Sequence, residues 1–295
     1  MKVIDVDSHY IEPFDWLDQV DRPLADEVDW SYAMAALLSG AGADLFGAAP
    51  VKMQDDALRN LPEGLQKMVD AAKGLPRAQI QKQLAINQFE ASPEPLYTAR
   101  DRLARMDEQR IGAQMLVINN AGVTVSMISR RHPEHRQRVV SAYNTWATGN
   151  CVGHTDRLLP VTLTDLADVD WAIRELERVR ALGSRSFLVS PIPVGGKPLC
   201  DDHFDRFWSA CEDLGMLPYL HIGTGAGSFP AEYQRSHVGG AIFWNQMHQP
   251  PEIFLTAMIH AGVLERHPRL RFVVAEYGIG WFPYFLMKLD GALHL

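Results

Sequence analysis

The sequence has little that would tie it to a nucleic acid, a membrane or an oxidising compartment. Its formal charge is −8 at pH 7, the wrong sign for a protein whose main partner is a phosphate backbone or an anionic lipid surface. No run of eighteen apolar residues occurs in the 295, so no membrane-crossing helix is expected. Cysteine is scarce. Cys151, Cys200 and Cys211 are the three present, without C-x-x-C spacing, which reads as reduced thiols in a cytoplasmic protein. The first apolar run starts at Lys2 and is expected to leave no room for a signal peptide. Neither G-x-G-x-x-G nor G-x-x-x-x-G-K-S/T occurs, which weakens a doubly wound nucleotide-binding reading. What remains is ordinary for a globular protein able to bury a large core, at 47% hydrophobic and 22% charged residues. The length fits one large α/β domain or two smaller ones.

The stretch that organises the chain is Val3-Ile4-Asp5-Val6-Asp7-Ser8-His9-Tyr10-Ile11-Glu12-Pro13. A short apolar run breaks abruptly into a carboxylate and an imidazole, as a strand does where it delivers groups to the mouth of a barrel. Asp7 and His9 are two apart, so extended backbone through His9 sends both side chains to one face. A carboxylate oxygen beside a ring nitrogen suits a divalent cation of the Zn or Mn type. A surface turn at a strand end is the bland alternative. Two distant stretches repeat the pattern, each an apolar strand ending in one candidate ligand or base and then glycine: Leu217 to Gly223, with His221, and Arg271 to Gly278, with Glu276.

Between these points strands and helices alternate. Apolar runs predict strands over Lys2–Val6, Gln114–Ile118, Arg157–Leu163, Ser186–Ser190, Leu217–Ile222 and Arg271–Glu276. Helices are expected over Ala99–Gln109, Glu134–Cys151, Asp168–Leu182, Asp202–Leu214, Glu252–Glu265 and Trp281–Leu293, with Asn119 to Gly122 as a turn. This alternation implies βαβ units and a parallel sheet. The stretch 14–95 does not fit it. Trp16, Trp30 and short amphipathic patterns over Leu65–Lys73 and Arg77–Phe89 mark it as a helical insert, a lid or an oligomerisation element. The expected fold is therefore α/β, a TIM-type (β/α)8 barrel with a helical insert after strand 1, in one domain over 1–295. Six strands can be counted, so the last two are expected to be lacking, with a homo-oligomer or partner chain covering the open barrel edge.

Six motifs, taken in order, resemble the amidohydrolase-related family, the superfamily branch that contains aminocarboxymuconate semialdehyde decarboxylase and resorcylate decarboxylases. They are Ile4 to Pro13, Tyr143-Asn144-Thr145-Trp146, Asp156 to Pro160, Leu220-His221-Ile222-Gly223, Gly262 to Phe272, and Glu276 to Trp281. The resemblance implies a barrel in which a first-strand H-x-H or E-x-H pair, a fifth-strand His and an eighth-strand Asp hold a divalent metal ion. Here the pair is Asp7 and His9, the fifth-strand ligand is His221, and Glu276 stands where many relatives carry a sixth-strand His. No eighth-strand Asp has a counterpart. On this footing Asp7, His9 and His221 are expected as metal ligands and Glu276 as the catalytic base, with an extra-ligand or supporting role as its alternatives. The expected activity is hydrolysis of a small amide, ester or lactone by metal-activated water. The alternatives are non-oxidative decarboxylation of an aromatic or unsaturated acid, and an inactive or partner-dependent chain. His248, Arg130 and Arg131, and the Phe243–Trp244 pair are weaker candidates for substrate contact. His132, His135 and His267, next to Pro or Arg, read as solvated.

Overall fold

Six apolar runs become six parallel strands, and the sheet follows chain order from β1 to β6. The computed structural model describes residues 3–28, 30, 61–77, 79, 98–224, 233 and 237–292. The strands are β1 (Val3–His9), β2 (Ile111–Val117), β3 (Leu158–Thr162), β4 (Ser186–Leu188), β5 (Leu217–His221) and β6 (Val273–Ala275). Every neighbouring pair is parallel. The order follows from the connections, because a parallel pair needs a crossover of a dozen or more residues, usually through a helix. The sheet curls until β1 and β5, which are not neighbours in it, face each other: the Tyr219 hydroxyl on β5 donates to the Val6 carbonyl on β1 at 2.6 Å. This is the TIM-type (β/α) barrel architecture, with six strands among the described residues.

The helices in chain order are α1 (Arg22–Asp26), α2 (Glu63–Ala72), α3 (Ala99–Gln109), α4 (Ala121–Arg131), α5 (Arg136–Gly149), α6 (Val169–Ala181), α7 (Asp205–Leu214), α8 (Gly239–Gln246), α9 (Gln249–His260), α10 (Val263–Arg266) and α11 (Phe282–Ala292). Local chemistry sets several of their ends. Thr98 caps α3 by accepting from the Asp101 N–H, and Asp168 caps α6 by accepting from the Trp171 N–H. Gly215 ends α7 in the left-handed region at φ 61 and turns the chain into β5. Three expectations need correction. The turn at Asn119 to Gly122 is the start of α4, which places Arg130 and Arg131 in the last turn of that helix. The helix expected over Glu252–Glu265 is two, broken where Gly262 takes φ 70. His267 is buried, with Nε2 3.1 Å from Asp205 Oδ1.

Of the stretch 14–95, residues 14–28, 30, 61–77 and 79 are described and include α1 and α2. The rest of it, with most of the helix expected over Arg77–Phe89, lies outside the described residues. So does most of 225–236 in the excursion after β5. Phe14, Trp16, Leu17, Leu24 and Ala25 are buried, and the Arg77 Nε donates to Asp18 at 2.6 Å.

Two apolar cores flank the sheet. One gathers β2 and β3 with Tyr10, Trp16, Tyr143 and Trp146. The other gathers Leu176, Phe187, Phe207, Trp208, Leu220 and Met258. Each such side chain, once fully buried, stabilises the fold by roughly 1.5–3 kcal/mol before chain entropy is counted. Val3, Ile4 and Val6 on β1 remain about half exposed, as do Tyr284, Leu286 and Met287 on α11. These apolar side chains are the surface that the expectation of a covering chain concerns.

Candidate metal centre

Asp7, His9, His221 and Glu276 come from three strand ends and offer one donor atom each, all within 4.8 Å of one another. β1 stays extended through His9, which sends Asp7 and His9 to the same side. His221 is the last residue of β5, and Glu276 follows the last residue of β6. His221 Nε2 lies 3.2 Å from Asp7 Oδ1 and 3.5 Å from Glu276 Oε2. His9 Nε2 is 3.8 Å from the same Asp7 oxygen, and the two imidazoles meet edge to face with centroids 4.9 Å apart.

Both rings are oriented by the backbone. His9 Nδ1 donates to the Ile118 carbonyl at 3.2 Å, and His221 Nδ1 to the Ile222 carbonyl at 2.8 Å. A carbonyl only accepts, so each Nδ1 carries the proton and each neutral ring turns an Nε2 lone pair toward the carboxylates. Lone pairs facing carboxylate oxygens at these distances repel unless a proton or a cation lies between them. Protonation shows the same demand. Burial works to lower the His221 value, but the Asp7 hydrogen bond, the Ile222 carbonyl and Glu276 outweigh it and raise it. Burial works to raise the Asp7 carboxyl, and the hydrogen bond and charge of His221 outweigh that and hold it below its ordinary value. His9 is pulled down by burial and by the charge of His221.

A divalent cation fits this set. Two neutral imidazoles and two carboxylates carry −2 in total and balance the ion. Donors bound at about 2.0–2.2 Å to one tetrahedral ion stand roughly 3.3–3.6 Å apart, so a pair at the 4.8 Å limit closes by about 1.2 Å on binding. Mixed imidazole and carboxylate donors suit Zn or Mn.

Glu276 sits at φ 60, in the left-handed region that non-glycine residues rarely adopt. Strain of this kind is held in place by its surroundings. The following residue, Tyr277, donates its hydroxyl to the His221 carbonyl at 2.7 Å, and the Thr224 Oγ1 donates to the same oxygen at 2.6 Å. Glu276 is 43% exposed, so its carboxylate opens to the mouth while His221 beneath it is buried.

On the β1 side, the buried Arg102 guanidinium donates to the His9 carbonyl at 2.7 Å, to Ser8 Oγ at 3.2 Å and to Gln114 Oε1 at 3.3 Å. Gln114 Nε2 then donates to Asp5 Oδ2 at 3.0 Å, and Asp5 Oδ1 accepts the Asp7 N–H at 3.1 Å. Sequence reasoning missed Asp5, Arg102, Gln114, Tyr219, Thr224 and Tyr277. Only Asp5 carried a signal, its alternation with Asp7 in D-V-D-S-H.

The weaker candidates lie apart from the cluster of four. His248 stacks on Trp281 at 6.3 Å, along a groove between α9 and α11. Trp244 is 65% exposed against Phe243 on α8.

A parallel barrel sheet whose strand ends converge imidazoles and carboxylates at one mouth defines a class of barrel enzymes with a cation-binding centre. The family model described as Amidohydrolase matches residues 4–292, and the chain belongs to that family. Solved structures of like fold include an amidohydrolase from Mycobacterium avium subsp. paratuberculosis K-10, at 21% identity over 99% of this chain and 77% of that one, with a TM-score of 0.63. The 2,6-dihydroxybenzoate decarboxylase from Rhizobium is 18% identical over 98% of this chain and 70% of that one, with a TM-score of 0.56. The 5-carboxyvanillate decarboxylase from Novosphingobium aromaticivorans, solved with manganese and a nitrobenzoic acid, is 19% identical over 99% of this chain and 69% of that one, with a TM-score of 0.59. At these identities the likeness is one of fold.

Proposed function

We propose that this amidohydrolase-family protein is a divalent-metal-dependent carboxy-lyase that releases carbon dioxide, without oxidation, from a hydroxylated aromatic or unsaturated acid. The observation that carries the reading is the convergence of two imidazole Nε2 atoms and two carboxylates within 4.8 Å. Decarboxylation ranks ahead of the hydrolysis expected from sequence because decarboxylases of hydroxybenzoic acids recur among the proteins of like fold. Asp7, His9 and His221 hold the ion. When bound, a Zn or Mn type ion supplies Lewis acidity toward the substrate carboxylate and a neighbouring hydroxyl oxygen. Glu276 moves the proton. The bond between ring carbon and carboxylate breaks, its electron pair stays on the ring carbon, and that carbon takes a proton that the Glu276 carboxylate has accepted from solvent. Carbon dioxide leaves, and the carboxylate regains a proton from solvent, to which it is open.

Hydrolysis of a small amide, ester or lactone is the second reading. It is favoured by the position of Glu276 Oε2, 3.5 Å from His221 Nε2, where a carboxylate can serve as base toward water. A panel of carboxyl-¹³C hydroxybenzoates, offered to Mn-loaded protein in D₂O, separates the two. Labelled carbon dioxide with one deuterium on the vacated carbon is expected. Turnover of esters, lactones or amides without labelled gas would replace the proposal with hydrolysis. Glu276→Gln is expected to retain the metal and to lose on the order of 10²–10⁴ in rate.

A further inference from the structure

Tyr219 lies two residues before His221 on β5, so both side chains project from the same face of the strand. The tyrosine is fully buried, and its ring stacks on the His221 imidazole at 6.0 Å and 24°. Its hydroxyl has a partner on neither neighbouring strand. It crosses the inside of the barrel to the Val6 carbonyl on β1, 2.6 Å away and 213 positions distant in sequence.

Val6 stands at an irregular point of β1. The β1–β2 ladder pairs Asp5 with Gln114 and Ser8 with Leu116 and shifts register between them, with Val6 and Asp7 in the gap. The peptide unit joining Val6 to Asp7 is nonetheless fixed at both ends. Tyr219 donates to its oxygen, and its N–H donates to Asp5 Oδ1 at 3.1 Å. A peptide unit is planar and rigid, so pinning its two polar ends sets its tilt and thereby the direction in which the Asp7 Cα–Cβ bond leaves the backbone. A bulged strand often serves to re-aim a side chain in this way.

We infer that Tyr219 is a positioning residue of the metal centre: by clamping the Val6–Asp7 peptide from across the barrel, it aims the Asp7 carboxylate at the Nε2 of His221, the residue its own ring supports. This rests on the metal reading above. Tyr219 thus couples the first-strand ligand to the fifth-strand ligand without touching ion or substrate. Its effect falls on the affinity and symmetry of the ion's surroundings.

Titration of the full chain with Mn(II) and Co(II) tests this, with binding followed by calorimetry and the site by Mn(II) EPR and the visible Co(II) bands. Tyr219→Phe is expected to weaken Mn(II) binding by about 10-fold or more, within the range seen when outer partners of metal ligands are removed, and to change the EPR and Co(II) spectra of the bound ion. Val179→Ala trims a fully buried side chain of the other core. It is expected to lower the melting temperature while leaving affinity and spectra as in the wild type. A folded Tyr219→Phe protein with wild-type affinity and superimposable spectra overturns the inference while the metal reading stands. A wild-type protein that takes up neither ion overturns the metal reading itself, and this inference with it. If Tyr219→Phe does not fold, 3-fluorotyrosine placed at 219 keeps the ring and makes the hydroxyl a stronger donor. A displaced Co(II) band then supports the coupling, and an unmoved band refutes it.

Discussion

The two sides of the mouth hold their donors by different chemistry. On the β1 side a buried charge does it, with Arg102 bracing the His9 carbonyl, Ser8 and Gln114, and Gln114 passing the constraint to Asp5. Nearby, the fully buried Glu12 accepts the Asn119 N–H at 2.9 Å and the Ala121 N–H at 3.3 Å, fastening the segment after β1 to the start of α4. On the side of β5 and β6 neutral hydroxyls replace the charge. Thr224 and Tyr277 both reach the His221 carbonyl, and Ser190 Oγ holds the Thr224 carbonyl at 2.6 Å. A multidentate buried cation is costly to remove because several acceptors lose their donor at once. Hydroxyls fail one bond at a time. The β1 side is therefore the brittle half of the site.

The largest effect expected from this contrast is that of Arg102→Met, which leaves the His9 carbonyl and Gln114 without their buried donor. It should lower stability by roughly 2–5 kcal/mol, at about 1–3 kcal/mol for each buried acceptor left without a donor, measured by urea unfolding. A loss under about 1 kcal/mol would remove the distinction between the two sides.

Glu12 sharpens the contrast through pH. Burial raises its carboxyl above the ordinary value, although backbone N–H groups of 119–121 oppose the shift. A raised carboxyl favours the protonated form in the fold, so its contribution is fullest below the ordinary value and falls as pH rises through the folded one. The stability of wild type relative to Glu12→Gln is accordingly expected to decline from pH 4 to pH 7, about the span where carboxyls titrate. A difference that rises with pH would mean that the helix start, rather than burial, governs this group.

On the hydroxyl side, Thr224→Val should cost only about 1 kcal/mol, since Tyr277 still serves the His221 carbonyl. Smaller still, and of opposite sign, Glu276→Gly should stabilise the fold by about 0.5–1 kcal/mol by relieving the left-handed backbone, while removing the proposed proton carrier. Thermal unfolding run beside the ¹³C assay reads both at once.

Legibility divided along a different line, between the donors and the residues that support them. Strand ends announce themselves, because an apolar run such as Leu217 to Leu220 stops at a polar residue. Asp7, His9, His221 and Glu276 were all visible in that way. Helix α3 was legible to the residue from Leu103 and Met106 at helical spacing. Helix α4 was not, since Asn119-Asn120-Ala121-Gly122 carries turn chemistry and Asn120 makes no side-chain cap bond there. Arg102 was invisible for a different reason. It sits in an 11-residue helix rich in charged residues, and nothing local distinguishes the arginine that faces inward. His267 was misread beside Pro268 and Arg269 because its partner Asp205 lies 62 positions earlier.

Asp7 and His221 meet across 214 positions of sequence. During synthesis the first half of the centre therefore waits for the second. At roughly 5–20 residues per second, the interval between the two is on the order of 10–40 s. Throughout it the emerging chain owns a carboxylate and an imidazole but no site, and β1 has nothing on its far side to bind. On the proposed coordination an ion that needs both sides cannot be captured by a partial chain, so its occupancy marks translation completed through the fifth strand.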